Sequence, residues 1–180
     1  MIAKPFIKWV GGKTQLLSQF ERFFPSELKK GDIKTYVEPF MGGGAVFFHV
    51  MQKYDVEKAY LNDINIDLAT LYGCIKYDAD RVIELATKLA EDYMSATSKR
   101  HFYYDTRENF NTDEQCPYDQ SAHFLFLNKT CFNGLCRFNQ KGKFNSPWGK
   151  YEEPKILDAQ NIKAVAKLLQ KQRTSSNRRL

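Results

Sequence analysis

The run YVEPFMGGGAVFF, Tyr36 to Phe48, constrains this chain more than any other stretch. Tyr36 and Val37 belong to a short buried strand that is expected to end near Glu38. Three glycines follow, and GAVFFHVMQKY then reads as a helix. Without a Cβ, glycine lets a backbone come close to a ligand or to another part of the fold, and the helix behind the loop presents free N–H groups. A second strand is expected from Ala59 to Leu61, followed by Asp63. An acid about twenty residues beyond such a loop is placed to accept hydrogen bonds from ribose hydroxyls. Strand, glycine loop, helix, strand and helix open an α/β nucleotide-binding unit.

The rest of the chain reads as mostly helical. INIDLATLYGCIKY carries apolar residues at Ile64, Leu68, Leu71, Tyr72 and Ile75, a helical spacing. DADRVIELATKLAEDYM reads as a separate helix with Asp78 or Asp80 as N-cap. SKRHFYYDTRENFN, the start of DQSAHFLFLNKTCF and NIKAVAKLLQK supply three more. Only two strong strands stand out, too few for a finished doubly wound sheet. The hydrophobic share of 43% over 180 residues supports one core with a smaller attached lobe. No apolar run approaches the roughly 20 residues that span a bilayer, and the basic N-terminus is unlike a secretory signal, so a cytoplasmic location is expected. Four cysteines without CxxC spacing and three scattered histidines argue against a zinc site and a disulfide framework.

The chemistry of the loop narrows its ligand. It lacks the G-x-G-x-x-G spacing of a dinucleotide site. Glu38 would repel a pyrophosphate but suits a cationic amino-acid group. S-adenosylmethionine combines ribose and adenine with an ammonium and a sulfonium and has no phosphate. The alternative is a glycine turn that only permits tight packing. A second element, KWVGGKT, ends like a phosphate-binding loop, but Ile7 stands where that pattern needs its first glycine.

Charge is unevenly divided. Residues 121–180 hold 12 basic and 3 acidic side chains, a net of +9, whereas residues 1–120 hold 15 and 18, a net of −3. A concentrated basic surface attracts polyanions such as nucleic acid. The end, KQRTSSNRRL, reads more simply as a solvated or disordered tail. In NKTCFNGLCRFNQKGKFNSPWGKYEEPK, from Asn128 to Lys155, aromatics alternate with lysine, arginine and asparagine. Cations can neutralise phosphates, aromatics can stack on bases and amides can read base edges. QKGK is expected to be the turn of a β-hairpin.

Four blocks in order, KPFIKWVGGKTQLL, YVEPFMGGGAVFF, AYLNDINIDLATLY and FLFLNKTCFNGLCRFNQKGKFNSPWGKYEEPKI, resemble the Dam-type family of DNA adenine methyltransferases. The resemblance implies an α/β fold: a Rossmann-like S-adenosylmethionine-dependent methyltransferase sheet, here incomplete, with a mostly helical target-recognition domain carrying the hairpin. Residues 1–66 would be the cofactor-binding part, 67–156 the recognition domain and 157–180 a helix and basic tail. Cofactor contacts are implied for Trp9, Lys13, Glu38, Pro39, Phe40, Gly42, Gly43 and Gly44, with Asp63 on the ribose. Double-stranded DNA is the implied partner, with GATC the expected target. Within FNGLCR, Phe132, Asn133 and Gly134 would enter DNA with Phe132 as the wedge, while Leu135 and Arg137 read bases. Lys8, Asn139, Pro147 and Lys150 are implied as further DNA contacts.

One departure is large. The family's D-P-P-Y motif, whose aspartate and tyrosine hold the flipped adenine, occurs nowhere in these 180 residues. No catalytic residue is therefore assigned, and no metal is expected. The chain reads as a truncated or partial adenine-specific enzyme with little activity alone. Alternatively, it is a non-catalytic DNA-binding module or regulator derived from one. The missing strands also imply an exposed sheet edge, and hence self-association or a complementing chain.

Overall fold

The computed structural model describes residues 1–112 and 116–170; the basic tail lies outside the described residues. After a short 3-10 turn at Thr14–Leu16 come α1 (Leu17–Phe20), α2 (Ser26–Lys30), β1 (Thr35–Glu38), α3 (Ala45–Lys53) and β2 (Lys58–Leu61). Four helices follow: α4 (Ile66–Ser95), α5 (Lys99–Phe110), α6 (Pro117–Thr130) and α7 (Ala159–Gln170).

β1 and β2 pair in parallel, with Val37 opposite Tyr60 and Glu38 opposite Leu61. Parallel neighbours need a crossover, and α3 supplies it. Alternation along the strands puts Tyr36 and Leu61 toward the core, while Val37 (59% exposed) and Tyr60 (43% exposed) face outward. Among the described residues, one face of this small sheet is therefore left partly open to solvent.

The two helices expected between residues 64 and 94 follow one another within α4 and meet at a kink. Asp78 leaves helical geometry at φ −150°, ψ 83°, and its Oδ1 accepts the Arg81 N–H at 3.0 Å. Asp78 thus acts as the expected N-cap of the second helix. Asn65 caps the start of α4 through the Leu68 N–H, and Ser98 caps α5 through the His101 N–H. Pro117 opens α6, where its missing N–H is unneeded. Phe124 to Leu127 are all buried, so this turn of α6 is covered on every side and forms the centre of the helical layer. It packs on α4 and α5, and α7 packs on α4. Edge-to-face contacts among Tyr93, Phe102 and Phe126 lock this core.

The N-terminal segment is threaded between helices by three carboxamides, each bonding a backbone N–H and a backbone C=O of one residue. Gln52 on α3 holds Ala3 at 2.7 and 2.9 Å, Asn161 on α7 holds Lys4 at 3.0 and 3.0 Å, and Asn128 on α6 holds Lys8 at 2.9 and 2.7 Å. An amide can do this because it carries donor and acceptor side by side.

The basic segment reverses direction at Asn139–Gly142 without forming regular strands. It contains two isolated antiparallel bridges, Phe138 with Phe144 and Cys131 with Trp148. Backbone bonds cross the reversal from the Asn139 N–H to the Lys143 carbonyl and from the Asn145 N–H to the Arg137 carbonyl, and side chains take other positions: Asn139 Oδ1 accepts the N–H groups of Lys141 and Lys143, and Ser146 Oγ accepts that of Arg137. Local bonds of this kind compete with strand pairing. Among the described residues no helix is long and apolar enough to cross a membrane.

Candidate functional site

A cleft of about 650 Å³ opens at the carboxyl ends of β1 and β2, where open α/β sheets receive ligands. Its walls bring together three distant pieces of chain. The 9–15 loop contributes Trp9 and Lys13; the glycine loop contributes Glu38, Phe40, Gly42, Gly43 and Gly44; the end of β2 contributes Asp63. Of the cofactor residues expected from the sequence, Pro39 alone does not line it; its carbonyl accepts from Asn62 Nδ2 at 3.4 Å.

The glycines also have packing roles. Gly42 and Gly44 have φ of +51° and +72°, a region that side chains resist. A Cβ on Gly42 would lie 2.7 Å from the Trp9 ring, and one on Gly44 would lie 2.9 Å from both Phe48 and the Tyr72 hydroxyl. The loop therefore packs tightly on Trp9, Phe48 and Tyr72, and its backbone also lines the cleft.

Glu38 accepts the Tyr36 hydroxyl at 2.8 Å. Burial pushes its carboxyl above the usual range, against the opposing pull of Tyr36, the Phe47 N–H and Lys13. Phe47 lies in the first turn of α3, whose N-cap is a glycine without a capping side chain. Glu38 therefore caps α3 from a distance, where a negative charge suits the helix dipole. Asp63 accepts the Gly42 N–H on Oδ2 at 2.8 Å and the Asn65 N–H on Oδ1 at 3.0 Å. A carboxylate has about four acceptor positions, so lone pairs remain for a ligand hydroxyl.

The donor set fits S-adenosylmethionine. The cleft volume is ordinary for a small-molecule site, and the Glu38 carboxylate in its wall suits a cationic group. The glycine loop gives the close backbone approach.

On the basic side the structure divides the aromatics. Phe144 is buried against Phe110 and Phe138, Trp148 donates its indole N–H to the Tyr93 hydroxyl at 3.1 Å, and Tyr151 lies under Lys8 Nζ at 4.9 Å. Phe132 stays 50% exposed. Asn133, Leu135, Arg137, Asn139, Pro147 and Lys150 are exposed with it, and so is Lys8 on the N-terminal segment. Gly134 is buried, and a Cβ there would collide with the Lys8 stem. The asparagines also divide. Asn128 is fully buried and its amide is spent on Lys8, so it reads no base edge.

Sequence reasoning passed over Gln52, Asn128 and Asn161 as anchors. The one available signal was an asparagine inside the apolar run FLFLNKT, because a buried amide needs partners.

The site is thus a glycine loop between strand and helix with an acid closing the next strand, and a basic loop with an exposed aromatic lies downstream of it in the same α/β chain. The chain belongs to the D12 class N6 adenine-specific DNA methyltransferase family, whose model matches residues 9–179. It is 51% identical over 173 residues to the type II methyltransferase M.MjaIII of Methanocaldococcus jannaschii, covering 94% of this chain and 60% of that protein. It is 38% identical over 157 residues to the DNA adenine methylase of Escherichia coli K12, covering 87% of this chain and 51% of that protein. The type II methyltransferase M1.LlaDCHI of Lactococcus lactis subsp. cremoris is 32% identical over 169 residues, covering 92% and 55%. The chain thus spans about half to three-fifths of the length of these relatives.

Proposed function

We propose that these residues are the cofactor-binding and DNA-reading part of an adenine-specific DNA methyltransferase acting on the exocyclic amine of adenine in a short palindrome, GATC. The observation that carries this reading is that Trp9, Glu38, the glycine loop and Asp63 meet in one cleft. When bound there, S-adenosylmethionine would supply an activated methyl group. Glu38 would hold its cationic amino-acid end, Asp63 its ribose and the glycine backbone would allow close approach. DNA would lie against the exposed set around Phe132, with Phe132 inserted between bases, Arg137 reading guanine through its planar fork, and Lys8 and Lys150 engaging the duplex.

The group that would position the target amine is D-P-P-Y in this family, and it does not occur in these 180 residues. Positioning is a large part of such catalysis. The residues present therefore bind and orient, and turnover by them alone is expected to be negligible. Calorimetry with S-adenosylmethionine and a methyl-transfer assay on GATC-containing DNA at high protein concentration test this together. Cofactor binding without turnover is the expected result. No binding at high micromolar cofactor would favour a pure DNA-binding module instead, and robust turnover would refute the division between binding and catalysis.

A further inference from the structure

The amide of Asn128 connects the two candidate sites. Oδ1 accepts the Lys8 N–H at 2.9 Å, and Nδ2 donates to the Lys8 carbonyl at 2.7 Å and to Cys136 Sγ at 3.1 Å. Lys8 precedes Trp9, whose ring lies against Gly42 in the cleft. Cys136 lies between Leu135 and Arg137. Two more contacts converge on the same point. The Lys8 stem fills the space where a Gly134 side chain would stand, within 2.3 Å of an added Cβ, and the Lys8 ammonium lies over the Tyr151 ring.

We propose that Asn128 is a positioning residue for target discrimination, holding the loop that carries Leu135 and Arg137 in register with the Lys8–Trp9 segment at the cofactor cleft. This rests on the DNA-binding function proposed above. The physical basis is geometric: bidentate base reading tolerates little displacement. Backbone bonds such as Phe132 N–H to the Pro147 carbonyl and Asn145 N–H to the Arg137 carbonyl hold the loop to itself, whereas its register against the Lys8–Trp9 segment rests on the Asn128 amide and the Lys8 side chain.

Asn161 provides an internal control. It makes the same two-bond clasp, on Lys4, yet touches neither loop. Loss of either asparagine strands one N–H and one C=O, so both substitutions cost stability. Only loss of Asn128 removes the amide link between the reading loop and the Lys8–Trp9 segment.

The 180-residue chain would be tested by fluorescence anisotropy on a duplex carrying GATC and on one with those four bases permuted. Wild type, Asn128→Ala, Asn161→Ala, Cys136→Ala and Cys136→Ser would be compared, each with a melting temperature. Asn128→Ala and Cys136→Ala are expected to lower the GATC preference by about tenfold, the scale of one lost bidentate contact. Asn161→Ala is expected to melt lower but keep the wild-type ratio, and Cys136→Ser, which retains an acceptor, to stay close to wild type. Cys136→Ala leaves the Lys8 clasp intact, so it decides the matter if Asn128→Ala does not fold. A discriminating wild type with unchanged ratios in Asn128→Ala and Cys136→Ala overturns this assignment alone, as does an equal loss in Asn161→Ala. A wild type that binds both duplexes alike overturns the functional reading and this assignment with it.

Discussion

The backbone N–H of Gly42 donates to Asp63 Oδ2 at 2.8 Å, joining the glycine loop to the end of the neighbouring strand. With Asn65 on the other oxygen, the Asp63 carboxylate shapes the cleft before any ligand arrives. Asp63→Ala is expected to cost about 1.5–3 kcal/mol, the scale of a hydrogen bond to a charged group. It should also weaken S-adenosylmethionine binding at least tenfold. Urea unfolding and calorimetry on the same variant measure the two effects.

Glu38 yields a prediction with a definite sign. Burial raises its pKa in the folded chain above the reference value of 4.5. The folded state therefore favours the protonated form, and this group's contribution to stability is present at low pH and lost as pH rises through the raised pKa. Glu38→Gln should match wild type in acid and become relatively more stable toward neutral pH. Its affinity for a cationic ligand should fall at neutral pH, while wild-type affinity should decline on acidification from a higher pH than an ordinary glutamate would give. Thermal unfolding and cofactor titration as functions of pH check both; parallel stability profiles would exclude this role for burial.

Gly44→Ala tests the packing role of the loop. The left-handed backbone and the contacts 2.9 Å away on Phe48 and Tyr72, both buried, leave no room for a methyl group. A loss of about 1–3 kcal/mol is expected from overpacking, measured by chemical denaturation. Gly73→Ala, with open space around its Cβ and no positive φ, is the matched control and should be neutral or slightly stabilising.

Phe132 and Phe144 separate binding from folding. Phe144, 1% exposed, is part of the core, and Phe144→Ala should cost about 3–5 kcal/mol. Phe132 is half exposed, so Phe132→Ala should stay within about 0.5 kcal/mol of wild type while losing DNA affinity. Denaturation and DNA-binding assays on the pair give opposite rankings if the division of aromatics is right.

Much of this was legible from local pattern. The βαβ opening, Asp78 as a cap and the helices after it follow from apolar spacing and capping chemistry, which act over a few residues. The four ordered blocks placed the chain in its family. The hairpin was legible only as a reversal: turn chemistry at Asn139–Gly142 set the change of direction, but Ser146 and Asn139 took bonds that strands would have used.

The chain by itself determined which chemistry was available: glycines that open a backbone, acids beside them, and cations mixed with aromatics downstream. Only the tertiary structure decided how that chemistry is shared out. It buried Phe144 and exposed Phe132, although both look alike in sequence. It also spent the Asn128 amide on Lys8, 120 residues away. Buried polar groups must find partners, and which partner lies within reach is settled by packing across the whole fold.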